Sequence, residues 1–166
     1  MNSDIPTLLI AEDDDNDFTF LEWALKIEKV EAQIRRVHDG VEAIEYLAGE
    51  DRFADRDTYP WPNLVILDLK MPRKTGLDVL AWIRKGPEVP NFPIVIFSSS
   101  EELSDVENAY NLGVSAFLVK PSSYLAYSGV VTTLKEFLIN GSEQPARKRG
   151  ARTYQKALLK QKPVTG

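Results

Sequence analysis

Four short apolar runs, each cut off by polar or charged residues, constrain this chain more than any other feature. Leu8-Leu9-Ile10-Ala11 halts at Glu12-Asp13-Asp14-Asp15, and Leu64-Val65-Ile66-Leu67 halts at Asp68. Ile94-Val95-Ile96-Phe97 halts at Ser98-Ser99-Ser100, and Ala116-Phe117-Leu118-Val119 at Lys120-Pro121. A run apolar on both faces and ended so sharply reads as a strand of a parallel sheet buried on both sides. A fifth strand is predicted over Gln33–Val37, closed by His38-Asp39-Gly40.

Helical patterns fill the intervals. Asp15 or Asn16 is placed to cap a first helix, in which Phe18, Leu21, Leu25 and Ile27 recur at helical spacing. A second helix is expected over 41–48, with Ala43, Ile44 and Leu47 facing inward. Residues 49–62 read as a polar loop containing proline, longer than the usual connection in such folds. Pro72 delays the third helix to Thr75, where Thr75-x-x-Asp78 resembles a capping box. A fourth helix ends near Leu112 at Gly113, suited to a left-handed terminus, and a fifth runs to about Asn140. Strands alternating with helices in this way predict an α/β fold, a doubly wound, open parallel sheet of five strands with five helices.

In a parallel sheet the C-terminal strand ends lie along one edge, where such folds bind ligands. Glu12, Asp13, Asp68, Ser98 and Lys120 are therefore predicted to meet, although they are far apart in the chain. Carboxylates crowded together repel one another, and a divalent cation relieves that repulsion. Carboxylates with a few waters suit Mg²⁺, which keeps positions for a phosphate oxygen. Lys120 adds a mobile positive charge and Ser98 a hydroxyl donor. Such a set stabilises a phosphoryl group mainly by positioning and charge compensation. Taken singly these signals are weak: an acidic run usually caps a helix or faces solvent, and an Asp after a strand is usually a turn residue. Their joint occurrence in strand order is what carries the reading.

Composition limits the alternatives. The 166 residues suit one domain, and 43% hydrophobic residues suit a globular core. No run of about 18 apolar residues is present to span a membrane, and the N-terminus lacks signal-peptide character. Without cysteine there is no disulfide or thiolate chemistry, and a cytoplasmic location is expected. The single histidine, His38, stands apart from the acidic set and reads as a surface residue. Trp23, Trp61 and Trp82 read as helix-packing or loop-anchoring residues, and Tyr124 and Tyr127 as packing or an association face. The chain divides into an acidic body, 5–140, and a basic tail, 141–166, whose seven Lys and Arg face only Glu143. The tail is expected to be a solvated or partly helical extension, with no direct nucleic-acid binding.

The motifs Leu8-Leu9-Ile10-Ala11-Glu12-Asp13-Asp14, Leu67-Asp68-Leu69-Lys70-Met71-Pro72-x-x-x-Gly76, Ser98 and Lys120-Pro121 resemble the receiver domain of two-component response regulators. The resemblance covers roughly residues 5–140. It implies a flavodoxin-like, CheY-like sheet of order 2-1-3-4-5, with Asp68 phosphorylated by the phospho-histidine of a sensor kinase. It implies that Asp13 and Asp68 ligate Mg²⁺ directly, that Glu12 acts through water, and that the Lys70 backbone carbonyl completes the protein's share. Ser98 and Lys120 would contact the phosphoryl group, Ser98 and Phe117 would act as switch residues, and Asp14 follows the acid pair. Many family members have Tyr where this chain has Phe117, which lacks the anchoring hydroxyl. The 49–62 loop, Asp39-Gly40-Val41-Glu42-Ala43 and Pro72-Arg73-Lys74 are similar to the small regulators that partner bacterial phytochromes. That implies a light-regulated kinase and a homodimer, with onward relay to a phosphotransfer protein as another route.

Two other functions compete. A phosphatase of the haloacid-dehalogenase type also uses an Asp nucleophile and Mg²⁺, but needs a second Asp where this chain has Lys70, and a cap domain. A nucleic-acid adaptor would act through the basic tail. Neither P-loop nor dinucleotide fingerprint is present. The expectation is thus a signalling domain whose only chemistry is its own phosphorylation and dephosphorylation.

Overall fold

A computed structural model describes residues 5–141. The strands are β1 (Thr7–Ala11), β2 (Gln33–Val37), β3 (Leu64–Leu67), β4 (Ile94–Ser98) and β5 (Ala116–Val119). They alternate with α1 (Asp15–Ile27), α2 (Gly40–Ala48), α3 (Gly76–Arg84), α4 (Leu103–Asn111) and α5 (Tyr127–Asn140). Short 3-10 turns occupy Asp51–Phe53 and Tyr124–Ala126. The sheet order is β2-β1-β3-β4-β5, as the family resemblance implies, and every pairing is parallel, as the strand pattern predicts. The order reverses after β1, which opens a crevice at the C-terminal ends of β1 and β3.

Strand alternation divides the core into two layers. Leu9, Ala11, Val65, Leu67, Ile94, Ile96 and Phe117 face one side, with Ala43, Leu47, Val79, Leu80 and Ala109 from α2, α3 and α4. Leu8, Ile10, Leu64, Ile66, Val95 and Phe97 face the other, with Leu21, Leu25, Val131 and Leu134 from α1 and α5. Both faces of β1, β3 and β4 are thus covered, which is why their sequences are apolar throughout.

Several local expectations need correction. The cap of α1 is Asp14, one residue before those expected, and its Oδ1 accepts from the Asp17 amide at 2.9 Å. Ile27 and Trp23 are exposed rather than packed. Each lies two residues from Leu25, about 200° around the helix, so Leu21, Ala24 and Leu25 form the buried stripe without them. Trp82 does pack against the core, and Trp61 anchors its loop by carrying the Arg56 guanidinium over its ring at 3.7 Å.

The connection over 49–62 is a loop, as expected, but it is pinned to the body by a buried aromatic residue and an arginine. Phe53 is buried, and its ring lies 5.0 Å from that of Tyr46 and 5.1 Å from that of Tyr59. Arg56 donates to the carbonyls of Tyr46, Leu47 and Tyr59, satisfying oxygens at the end of α2. The capping box of α3 forms as expected: Asp78 N donates to Thr75 Oγ1 at 3.2 Å and Thr75 N to Asp78 Oδ2 at 2.9 Å. Beyond Gly141, the basic tail lies outside the described residues.

Candidate functional site

Backbone bonds continue the sheet ladder one residue past the strand ends and thereby set the site. Glu12 N donates to Val37 O, Asp68 N to Ala11 O and Lys120 N to Ser98 O, at 3.0, 3.0 and 2.8 Å. Each chemistry-bearing residue is thus anchored by its main chain to the neighbouring strand. Arg36 on β2 braces the same edge: its Nε donates to Glu12 O at 3.1 Å while its guanidinium pairs with Asp15 at 2.8 Å.

The carboxylates of Glu12, Asp13 and Asp68 each place one oxygen within 4.8 Å of the others. Glu12 and Asp68 are buried, whereas Asp13 is exposed at the mouth. The Lys120 ammonium sits among the acids, 2.6 Å from Glu12 Oε2, 2.8 Å from Asp17 Oδ2 and 2.9 Å from Asp68 Oδ2. Burial acts to lower the Lys120 pKa, but hydrogen bonds to Asp17, Glu12 and Asp68 outweigh it and hold the amine above its ordinary value. Burial pushes the Glu12 carboxyl up to about 7, opposed by the hydrogen bond from Lys120 and reinforced by the charge of Asp68. Three carboxylates within reach of one another, two buried and one at the mouth, offer the oxygen donors that a hard divalent cation takes.

The remaining expected residues surround this cluster. Ser98 is fully buried, and its Oγ accepts from the Ser100 amide at 3.2 Å. The Lys70 amide donates to Asp68 Oδ1 at 3.4 Å, while its side chain is exposed. Phe117 is fully buried, and its amide donates to Tyr110 Oη at 3.3 Å. The Asp14 carboxylate is engaged in capping α1, and its amide donates to Glu12 Oε1 at 3.1 Å. His38 is exposed beside α2, as expected, with its amide donating to Glu42 Oε2 at 2.7 Å.

Asp17 is the site residue that sequence reasoning missed. It stands in the first turn of α1, where an acid reads as a favourable partner of the helix dipole. Its bond to Lys120 spans 103 residues, so its position in the acidic run was the only signal available.

Residues 8–125 match the response regulator receiver domain. The chain belongs to that family. Among curated relatives, response regulator Rcp1 of Synechocystis sp. is 28% identical over 139 residues, 84% of this chain and 92% of Rcp1. The phosphorylated cyanobacterial phytochrome response regulator RcpA superposes with a TM-score of 0.74 at 29% identity, covering 82% of this chain and 95% of RcpA. A response regulator in red light signaling of R. palustris gives 0.74 at 36% identity, covering 80% and 92%. Rcp1 itself, solved in a Mn²⁺-bound form, gives 0.70 at 28% identity, covering 80% and 93%. The match thus spans nearly the whole of Rcp1 and of RcpA. Among the described residues, no helix is long and apolar enough to cross a membrane.

Proposed function

We propose that this receiver accepts a phosphoryl group on Asp68 from the phospho-histidine of a sensor kinase and signals through a change in its protein contacts. The observation that carries the proposal is the meeting of Asp68, Glu12 and Asp13 with the Lys120 ammonium at one sheet edge. An Asp68 carboxylate oxygen forms a bond to phosphorus as the phosphorus–nitrogen bond of the donor breaks. The bonding electrons leave with the imidazole, which takes up a proton.

Glu12, Asp13, Asp68 and the Lys70 carbonyl would hold Mg²⁺, which supplies charge neutralisation for the transferring oxygens. The Mn²⁺-bound form of Rcp1 supports a divalent cation in this family. Lys120 stays charged and donates a hydrogen bond to a phosphoryl oxygen. Ser98 Oγ already accepts from Ser100, leaving its O–H to donate to the same group. Phe117 is fully buried in this structure, and its ring position reports which of two states the domain occupies.

Similarity to RcpA, a phytochrome response regulator, and to the red-light regulator of R. palustris supports a bacteriophytochrome kinase as partner. Exposed Leu125 and Tyr124, ahead of α5, offer apolar surface for a homodimer or a phosphotransfer protein. The test is intact mass after incubation with acetyl phosphate and Mg²⁺. The wild type is expected to gain one phosphoryl group, and Asp68→Asn and an EDTA control to gain none. Labelling retained in Asp68→Asn would place the acceptor elsewhere and overturn the proposal.

A further inference from the structure

Asp17 has no place in the chemistry above, yet it makes one of the three hydrogen bonds of Lys120. An ammonium has three N–H donors, and here Glu12, Asp17 and Asp68 take all of them. For Lys120 to contact a phosphoryl oxygen, one carboxylate must surrender its bond. Glu12 and Asp68 have side chains only 5% and 9% exposed, whereas that of Asp17 is 37% exposed and reaches in from α1. Asp17 is therefore the claimant from the solvent side, attached to a helix rather than to the strand edge. It also adds a fourth carboxylate beside a site that must admit an anionic phosphodonor.

Resting on the reading of Asp68 as the phosphoacceptor, we propose that Asp17 is a positioning residue that restrains phosphorylation. It competes with the phosphoryl group for Lys120 and adds negative charge against its arrival. With a small donor the step is simple: an Asp68 oxygen bonds to phosphorus, the bond from phosphorus to the acetyl oxygen breaks, and the electron pair leaves with acetate. The donor carries negative charge into a site where Lys120 is already held. Removing the Asp17 charge weakens its hold on one ammonium donor and lowers that opposing charge. One unit charge a few ångströms away in partly solvated surroundings corresponds to roughly a three- to ten-fold change in rate.

The experiment compares wild type, Asp17→Asn and Asp17→Glu for the initial rate of Asp68 labelling in saturating Mg²⁺. Acetyl phosphate and the less negatively charged phosphoramidate serve as donors, at low and high salt. Asp17→Asn keeps the shape of a partly exposed side chain and is expected to label roughly three- to ten-fold faster with acetyl phosphate. The gain is smaller with phosphoramidate and shrinks as salt rises. Asp17→Glu retains the charge and is expected to stay near the wild-type rate. If Asp17 only braces Lys120, Asp17→Asn labels more slowly with both donors to the same extent, and the proposal fails. An unchanged rate overturns it equally. A wild type that gains no phosphoryl group overturns the reading of Asp68 itself, and this inference with it.

Discussion

At the residue scale, Glu12 is a buried carboxyl whose affinity for a proton is set by its surroundings. Its carboxyl rises from 4.5 to about 7 because burial disfavours the anion more than Lys120 favours it. A raised acid means that the folded state holds its proton over a range where the unfolded chain has lost it. The contribution of Glu12 to the stability of the metal-free protein is therefore present below about pH 4.5 and is lost as pH rises toward about 7. Glu12→Gln cannot titrate, so its denaturation free energy in EDTA is expected to lose that slope between pH 5 and pH 8. A slope equal to that of the wild type would assign the pH dependence to other groups. The same substitution is expected to weaken Mg²⁺ binding, measured by titration calorimetry, because it removes a charged member of the donor set.

At the element scale, the segment from Asp68 to α3 is held by close backbone contacts. A Cβ added at Gly76 would stand 2.2 Å from the Asp68 carbonyl oxygen, and one at Gly40 would stand 2.2 Å from the Lys74 carbonyl oxygen. Gly76 N donates to Leu69 O and Gly40 N to Lys74 O, both at 3.1 Å, so the glycines sit where two chains touch. The Arg73 guanidinium adds two bonds to Asp39 Oδ2, at 2.9 and 2.8 Å, tying the same loop to the start of α2. Gly76→Ala must push the α3 terminus off the acceptor residue, at a cost of about 1–3 kcal/mol. Both its denaturation midpoint and its rate of Asp68 labelling are expected to fall. Thr75→Ala, one residue away, removes a cap at a cost of about 1 kcal/mol. It is expected to lower the midpoint while leaving labelling intact. Equal labelling rates in the two variants would show that the close approach of Gly76 to Asp68 has no bearing on the acceptor.

At the scale of the whole molecule, the parallel sheet gathers acids that would otherwise lie apart, and the folded state carries the resulting repulsion. Only the folded state assembles the cluster, so a cation bound there stabilises the fold by mass action. At a Mg²⁺ concentration about a hundred times its Kd, the gain is about 2.7 kcal/mol. The thermal midpoint is expected to rise by several degrees in scanning calorimetry. Asp13→Asn is expected to lose most of that rise without losing midpoint in EDTA, since Asp13 is exposed. A full Mg²⁺ response in Asp13→Asn would remove Asp13 from the donor set.

Much of this protein was legible in its sequence because strand alternation and strand ends are local properties. Apolar runs covered on both faces identify β1, β3 and β4, and the residues that stop them identify the site edge. The capping box at Thr75 and the left-handed residue at Gly113, with φ of +79°, are likewise local signals. Tertiary structure decided what depends on direction around a helix or on contacts across the chain. Trp23 and Ile27 face solvent because α1 packs through Leu21, Ala24 and Leu25. The 49–62 segment folds around Phe53 and Arg56 because α2 leaves carbonyls there to be satisfied. Asp17 meets Lys120 only when α1 and β5 are brought to one edge, and no pattern within either segment encodes that meeting. The sequence by itself determined which residues end the strands; only the assembled sheet determined which charges those residues must share.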